Sequence, residues 1–364
     1  MLEALARFVR AESPTDSKAS VDRFGQLVAA EWRKRGAKVQ IRREPHAGNH
    51  VRVEWAAGSK RDPQTLVLGH LDTVYPLGSL KQMPYRVSGG RAFGPGIFDM
   101  KGGLLIALFA VDALKRAGWL PKRRVVFLWN SDEETGSKSS RALIEREARR
   151  SAAVLVLEPA SGLDGRVKTE RKGVGTAELI VTGKAAHAGV NPEDGVNAVH
   201  ELALQIERIS RLSDSKRGIT VSATVIGGGT RDNVIPAAAR AVFDLRARKM
   251  ADMKAIERRL RALQPVLPGA KIEVRGGFSR PPLERRHSAA LFERAQELAR
   301  SMGLSLGESS TGGGSDGSLT AALGVPTLDG LGAVGEGAHS ANENVLIDAL
   351  PERAALVAAL LANL

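Results

Sequence analysis

Three short apolar runs limit what this chain can fold into more than any other feature. Residues 65–69 read TLVLG, residues 125–129 read VVFLW and residues 153–157 read AVLVL. None alternates between apolar and polar positions. A strand with one wet face would alternate, so these runs predict strands buried on both sides. Helical patterns lie between them. Residues 102–117 are apolar-rich, residues 137–149 are amphipathic, and residues 18–35 place Val21, Phe24, Leu27, Val28 and Trp32 at helical spacing. Buried strands alternating with helices predict an α/β architecture: a mainly parallel central sheet with flanking helices on both faces.

At 364 residues the chain is long for a single core and suits two domains. Its middle changes character. Residues 174–182 alternate like a half-exposed strand, 195–210 are helical, 220–226 and 240–246 are strands, 250–263 are helical and 271–275 form a strand. The order β-α-β-β-α-β predicts an antiparallel sheet with helices on one face. After Pro281-Pro282 the α/β character returns, with helices over 289–302 and 351–361. Pro351 is expected at the first helical position, where its missing N–H costs nothing. The expected division is a discontinuous domain from residues 1–173 and 282–364, with residues 174–281 inserted as an α+β domain.

Composition narrows the chemistry. There is no cysteine, so disulfides and thiolate metal sites are excluded. Any metal must be held by the seven histidines and forty acidic residues. The net charge of +13 is open to two meanings, a nucleic-acid partner or a solvated basic surface. Arg123-Arg124, Arg149-Arg150 and Arg285-Arg286 are scattered, and aromatics make up 4%. Both facts favour the solvated surface and no nucleic acid, since base-stacking platforms need aromatics. A positive field also suits an anionic small substrate. No apolar run approaches the roughly 18 residues of a membrane span. The start, MLEALARFVRAESPTDS, carries Glu3 and Glu12 and does not read as a leader, so a cytoplasmic location is expected.

The chemistry-bearing residues sit where the strands end. His70 and Asp72 follow TLVLG, Glu133 and Glu134 follow VVFLWNSD, and Glu158 follows AVLVL. In open α/β sheets ligands bind outside the carboxyl ends of the strands. Each residue alone has an ordinary explanation. A lone histidine is more often core or surface than ligand, Glu133-Glu134 could be a solvated acid pair, and Asp99, in the turn GPGIFDMKGG, could cap the following helix. Three strands delivering metal-type ligands to one edge outweigh those readings together.

Seven motifs then occur in order: HLDTVYP (70–76), GPGIFDMKGG (94–103), SDEETGS (131–137), LEP (157–159), GKAAHAG (183–189), TGGGSD (311–316) and GAHS (337–340). The chain resembles the glutamate carboxypeptidase, acetylornithine deacetylase and succinyl-diaminopimelate desuccinylase family of two-zinc amidohydrolases. The wording around His70, Asp99 and Glu133 is most similar to the bacterial glutamate carboxypeptidase branch. The resemblance implies a zinc-exopeptidase-like catalytic domain and an inserted lid and dimerisation domain. It implies two Zn²⁺ per chain, with Co²⁺ or Mn²⁺ as possible substitutes. Asp99 would bridge both ions, His70 and Glu158 would complete one position, and Glu134 and His339 the other. Imidazole and carboxylate suit zinc. Asp72 would hold the His70 ring from behind, and Glu133 would be the general base acting on a metal-activated water.

Substrate contacts implied by the same resemblance are His187, Asn233, Arg246, Gly313 and Gly314, and also Arg166 by ungapped alignment. In dimeric relatives the histidine matching His187 reaches the partner's site. Arginine suits a carboxylate because its planar fork pairs with both oxygens. The two glycines would let backbone N–H groups approach the same group; TGGGSD read alone is equally a flexible turn. GRVKTERKG around Arg166 departs from the carboxypeptidase branch, which leaves glutamate selectivity open. His46, His50, His200 and His287 match no motif. The Asp99–Met100 peptide is expected to be cis, as in relatives. Domain closure is expected, with hinges near Gly173–Gly175 and Arg280–Pro282. The implied activity is hydrolysis of an amide bond in a small carboxylate-bearing N-acyl amino acid or short peptide, releasing the C-terminal amino acid, by a homodimer formed through the insert. A deacylase, a dipeptidase and a non-catalytic binding protein on the same fold are the alternatives.

Overall fold

The computed structural model describes residues 1–55 and 62–364. The chain divides into two compact units. One comprises Met1–Glu170, Leu283–Thr311 and Ser315–Leu364, and the other Arg171–Pro282 with Gly312–Gly314.

The first unit is built on a six-stranded sheet. Its spatial order is Lys38–Arg42, His50–Trp55, Val125–Asn130, Gln64–His70, Ser151–Val156 and Thr327–Leu328. The last four strands pair in parallel, with Val67 opposite both Phe127 and Leu155. All residues of Gln64–His70 and Val125–Asn130 are buried, as their unbroken apolar runs require. Alternate side chains feed two cores. Val67, Phe127, Trp129 and Leu155 pack among the helices Lys18–Lys34, Gly102–Ala117 and Ala349–Asn363. Leu66, Leu68, Val126, Leu128 and Val154 pack against Leu143, Ile144 and Leu319 on the other face. Trp32 anchors the first core, with its ring centroid 4.3 Å from Phe127 and 6.1 Å from Trp129.

Three strands of this sheet escaped the sequence reading, the two-residue Thr327–Leu328 among them. Lys38–Arg42 and His50–Trp55 extend it in antiparallel sense. The second reads HVRVEW, in which Arg52 and Glu54 alternate with apolar residues. Yet Arg52 is buried, because its Nε and Nη2 donate to Glu147 at 3.1 and 3.3 Å while Gln64 Nε2 donates to the same carboxylate at 3.0 Å. A buried charge is tolerated when paired in this way. Helix boundaries also moved, two of them in this unit. The helix expected over 137–149 is Arg141–Ala148; residues 137–140 instead wrap the Asp132 carboxylate, which accepts from Ser139 N, Ser139 Oγ and Ser140 Oγ at 2.7, 2.8 and 2.6 Å. The final helix begins at Ala349, so Pro351 is its third residue. The first four N–H groups of a helix lack internal partners, so proline is tolerated there as well.

The second unit is the β-α-β-β-α-β arrangement. Gly173–Thr182, Thr220–Gly228, Ala238–Ala247 and Lys271–Arg280 form an antiparallel sheet, ordered Thr220–Gly228, Ala238–Ala247, Gly173–Thr182, Lys271–Arg280. Helices Ala198–Ser210 and Met250–Arg261 lie between strands in the chain. Here the alternation is clear. Ala177, Leu179, Val181, Ala241, Phe243 and Leu245 are buried with helix residues Leu202, Ile209, Met253 and Ile256, while Glu178, Ile180, Asp244 and Arg246 point to the opposite, half-exposed face. Asn197 caps the first of these helices by accepting from His200 N at 3.0 Å.

Candidate metal centre

Six side chains from five segments of the first unit converge. His70 is the last residue of its strand. Its Nδ1 lies 2.9 Å from the Asp72 backbone oxygen and 3.4 Å from Asp72 Oδ1. These partners place the proton on Nδ1 and leave the Nε2 lone pair facing inward. That Nε2 is 3.1 Å from Asp99 Oδ1 and 3.5 Å from Glu158 Oε1. The other Asp99 oxygen, Oδ2, is 3.4 Å from His339 Nε2, which also lies 3.4 Å from Glu134 Oε2. Ligand atoms of His70, Asp99 and Glu134 lie within 4.8 Å of one another, as do those of His70, Glu133 and Glu158. Glu133 thus stands at the edge of the same cluster. The Asp99–Met100 peptide is cis, as expected.

Local packing explains the placement. A Cβ on Gly103 or on Gly332 would collide with the Leu157 carbonyl oxygen. Both glycines therefore let neighbouring segments close around the strand end that delivers Glu158. Asp72 has a broader part than holding one ring. Its Oδ2 accepts from Thr15 Oγ1 at 2.8 Å and from Glu134 N at 3.2 Å, and its Oδ1 from Glu133 N at 3.3 Å. It therefore anchors the Glu133-Glu134 turn as well.

The electrostatics call for cations. Burial alone would push the His70 imidazole down, but Asp72, Asp99 and Glu158 outweigh it and hold the ring well above its ordinary value. Hydrogen bonds to Asp99 and Glu134 push His339 up to about 10. Burial pushes the Glu134 carboxyl up, with the Asp99 and Asp72 charges adding to it. Four carboxylates surround two imidazoles, and protons are the positive charges available within the cluster. Glu134 Oε1 is buried and has no hydrogen-bond partner. An orphaned buried acceptor is rare and calls for an explanation such as an ion. The donor set is nitrogen and oxygen, which fits zinc and its first-row neighbours.

The remaining sequence candidates are distributed differently. His187, Asn233, Arg246, Gly313 and Gly314 belong to the second unit. His187 and Asn233 are on adjoining segments, where Ala188 N donates to Asn233 O at 2.9 Å and His187 bridges Val234. Arg246 pairs with both oxygens of Asp244 at 2.8 Å and donates to Gly312 O at 3.1 Å. The carbonyls of Gly313 and Gly314 accept from Arg171 Nη1 at 3.3 and 2.9 Å. Arg166, in the first unit, pairs with Asp164 at 3.1 Å on its own hairpin. Sequence reasoning missed two groups near the centre. His50 is buried between the hydroxyls of Ser131 and Ser139, at 3.0 and 3.3 Å. Glu343 is fully buried and accepts three backbone hydrogen bonds around Asp99. Glu343 lies in a loop without periodicity, and His50 opens a strand whose alternation marks its apolar residues and not the histidine.

An open α/β sheet carrying this cluster at its strand ends defines a metal-dependent hydrolase. The chain belongs to peptidase family M20/M25/M40, whose pattern matches residues 66–363. It is 33% identical over 371 residues to carboxypeptidase G2 of Pseudomonas sp. (strain RS-16), covering 100% of this chain and 89% of that protein. It is 27% identical over 309 residues to succinyl-diaminopimelate desuccinylase of Halorhodospira halophila, covering 80% of this chain and 81% of that protein. Among solved structures, aminopeptidase PepT from Bacillus cereus superposes with a TM-score of 0.84 at 21% identity, over 99% of this chain and 97% of that one. The YXEP protein of Bacillus subtilis, described as a dinuclear metal binding peptidase of family M20, superposes with a TM-score of 0.72 at 15% identity, over 100% of this chain and 96% of that one. Relatives that cleave peptides or acyl-amino acids place amide hydrolysis in common. Among the described residues no helix is long and apolar enough to cross a membrane.

Proposed function

We propose that this protein is a carboxypeptidase-type amidohydrolase that releases the C-terminal amino acid from an N-acyl amino acid or short peptide. One observation carries the reading. The two oxygens of Asp99 address two different imidazoles, His70 at 3.1 Å and His339 at 3.4 Å, as a carboxylate shared between two cations must. His70 and Glu158 would hold one divalent ion, Glu134 and His339 a second, and Asp99 both. Zinc suits this set, with cobalt or manganese as substitutes. Such a pair supplies Lewis acidity toward the amide carbonyl and makes water nucleophilic near neutral pH.

The chain's own groups do the rest. Asp72 orients the His70 ring and holds the Glu133-Glu134 turn. Glu133 takes a proton from the attacking water and returns it to the leaving amine. His187 is assigned to the developing oxyanion, and Asn233 and Arg246 to the substrate carboxylate, with Gly313, Gly314 and Arg166 as further substrate contacts. This assignment is supported by the motifs and by the 33% identity to carboxypeptidase G2. A homodimer through the insert is supported by its outer strand Thr220–Gly228, on which Val225 and Ile226 are exposed.

The test is a panel of zinc-loaded reactions. N-acyl amino acids and dipeptides are compared with the same compounds amidated at the C-terminal carboxylate, and with the Glu133→Gln variant. Hydrolysis of the free acids, its loss on amidation, and a fall of about 10²–10⁴ in turnover for Glu133→Gln with metal content unchanged are expected. Equal cleavage of amidated substrates, or near-normal turnover by the variant, sinks the assignment.

A further inference from the structure

Glu343 is a fully buried carboxylate that comes from the His339 loop and closes on the Asp99 loop. Its Oε2 accepts from Gly96 N at 2.8 Å; its Oε1 accepts from Phe98 N at 2.9 Å and Asp99 N at 2.8 Å. Backbone amides converging on one carboxyl group make a nest. The same two segments are also joined through the main chain. Gly94 N donates to Glu343 O at 3.3 Å, and Asn344–Leu346 pairs with Arg91–Phe93 in the register Asn344 to Phe93. A third segment joins them. Tyr75, five residues after His70, donates its hydroxyl to Ser340 O at 3.0 Å and lies within hydrogen-bond reach of Glu343.

His339 needs such a tie. It adopts a left-handed φ of 60° in an exposed loop, a conformation uncommon for a residue with a Cβ. Its neighbours in the chain bury no apolar face that would hold it. Glu343 is the nearest buried group in that loop, four residues on.

We propose that Glu343 is a positioning residue that sets the distance between Asp99 and His339, and so the affinity of the metal position those two share with Glu134. The inference rests on the two-metal reading above. Glutamine in its place has one acceptor oxygen and an amide NH₂ that would face N–H donors. One half of the clamp is then lost, although size and burial are kept. His70 and Glu158, carried on buried strand ends, are not held by this clamp, so the position they share with Asp99 keeps two of its three protein ligands in place and is affected less.

The experiment titrates metal-free protein with Co²⁺, following heat and the visible absorption of bound cobalt. Glu343→Gln, Glu343→Asp and, as a control for lost stability, Glu147→Gln are compared with the unmodified chain. Glu147 is equally buried in the same unit and accepts from Arg52 and Gln64, not from the metal cluster. Glu343→Gln is expected to weaken the second cobalt equivalent by about 10–100-fold, the usual effect of removing an outer partner, and to change its absorption band. The first equivalent is affected less, Glu343→Asp falls between, and Glu147→Gln lowers the melting temperature without changing the ratio of the two affinities. An unmodified chain that binds fewer than two ions overturns the two-metal reading and this inference with it. Two ions bound normally, with both equivalents of Glu343→Gln unchanged or weakened alike, overturns the clamp alone. Should Glu343→Gln fail to fold, Tyr75→Phe and Glu343→Asp decide. An unaltered second equivalent in both refutes the proposal, and a selective loss in either supports it.

Discussion

His70 and His339 both direct Nε2 toward Asp99, yet they are held in opposite ways. The His70 side chain is 1% exposed and sits at the end of a buried parallel strand; that of His339 is 52% exposed and sits in a loop. On the first side, sheet hydrogen bonds, the Asp72 carbonyl and packing of the strand fix the ring before any ion arrives. On the second side, position comes from contacts between segments more than 240 residues apart, such as Glu343 with Phe98 and Asp99. The centre therefore joins a rigid half, built by secondary structure, to a tied half, built by tertiary contacts.

The largest effect should come from the residue both halves share. Asp99→Ala is expected to remove both ions and all measurable turnover. Atomic absorption that still finds one ion per chain would show the halves to be independent. Next, His339→Ala and His70→Ala should each lose one ion and keep the other: His339→Ala the ion shared with Glu134, and His70→Ala the ion shared with Glu158. Retention of two ions by His339→Ala would move the second position elsewhere.

The smallest effect is a pH dependence of the metal-free protein. Hydrogen bonds to Asp99 and then Glu134 raise His339 to about 10 in the fold, against about 6.5 when unfolded. A raised pKa contributes stability that is fully present below the unfolded value and is lost as pH rises through the folded one. The melting temperature of metal-free protein should thus fall between about pH 6.5 and pH 10. The fall should be shallower in His339→Ala, and should vanish when metal replaces the proton. Parallel curves for the two proteins would assign the effect to other groups. Metal binding should release protons over the same range.

The two halves were also unequally legible. TLVLG, VVFLW and AVLVL announced buried strands, and strand ends in an α/β sheet are where ligands collect. His70 and Glu158 could be placed from that logic. His339 could not, since GEGAHSANEN has no periodicity, and only its likeness to a family motif marked it. Glu343 sits in the same loop and reads as one more surface acid until the fold buries it. His50–Trp55 alternates as V-R-V-E-W and was legible as a strand; what its sequence does not show is that Arg52, on the polar side, is buried against Glu147, 95 residues away. In the insert period-two alternation was plain, and the β-α-β-β-α-β order emerged directly.

The amino-acid order by itself determined the α/β class, the interrupted first unit, the split insert and the chemical kind of the site, because hydrophobic periodicity and donor type are local properties. Tertiary structure decided which acids converge on the cluster and which brace it. Burial of Glu343 and Glu147, the tie of Asp72 to the Glu133-Glu134 turn, and the placement of His339 all depend on which distant N–H or guanidinium arrives. A carboxylate's energy is set by those neighbours, and no window of sequence contains them.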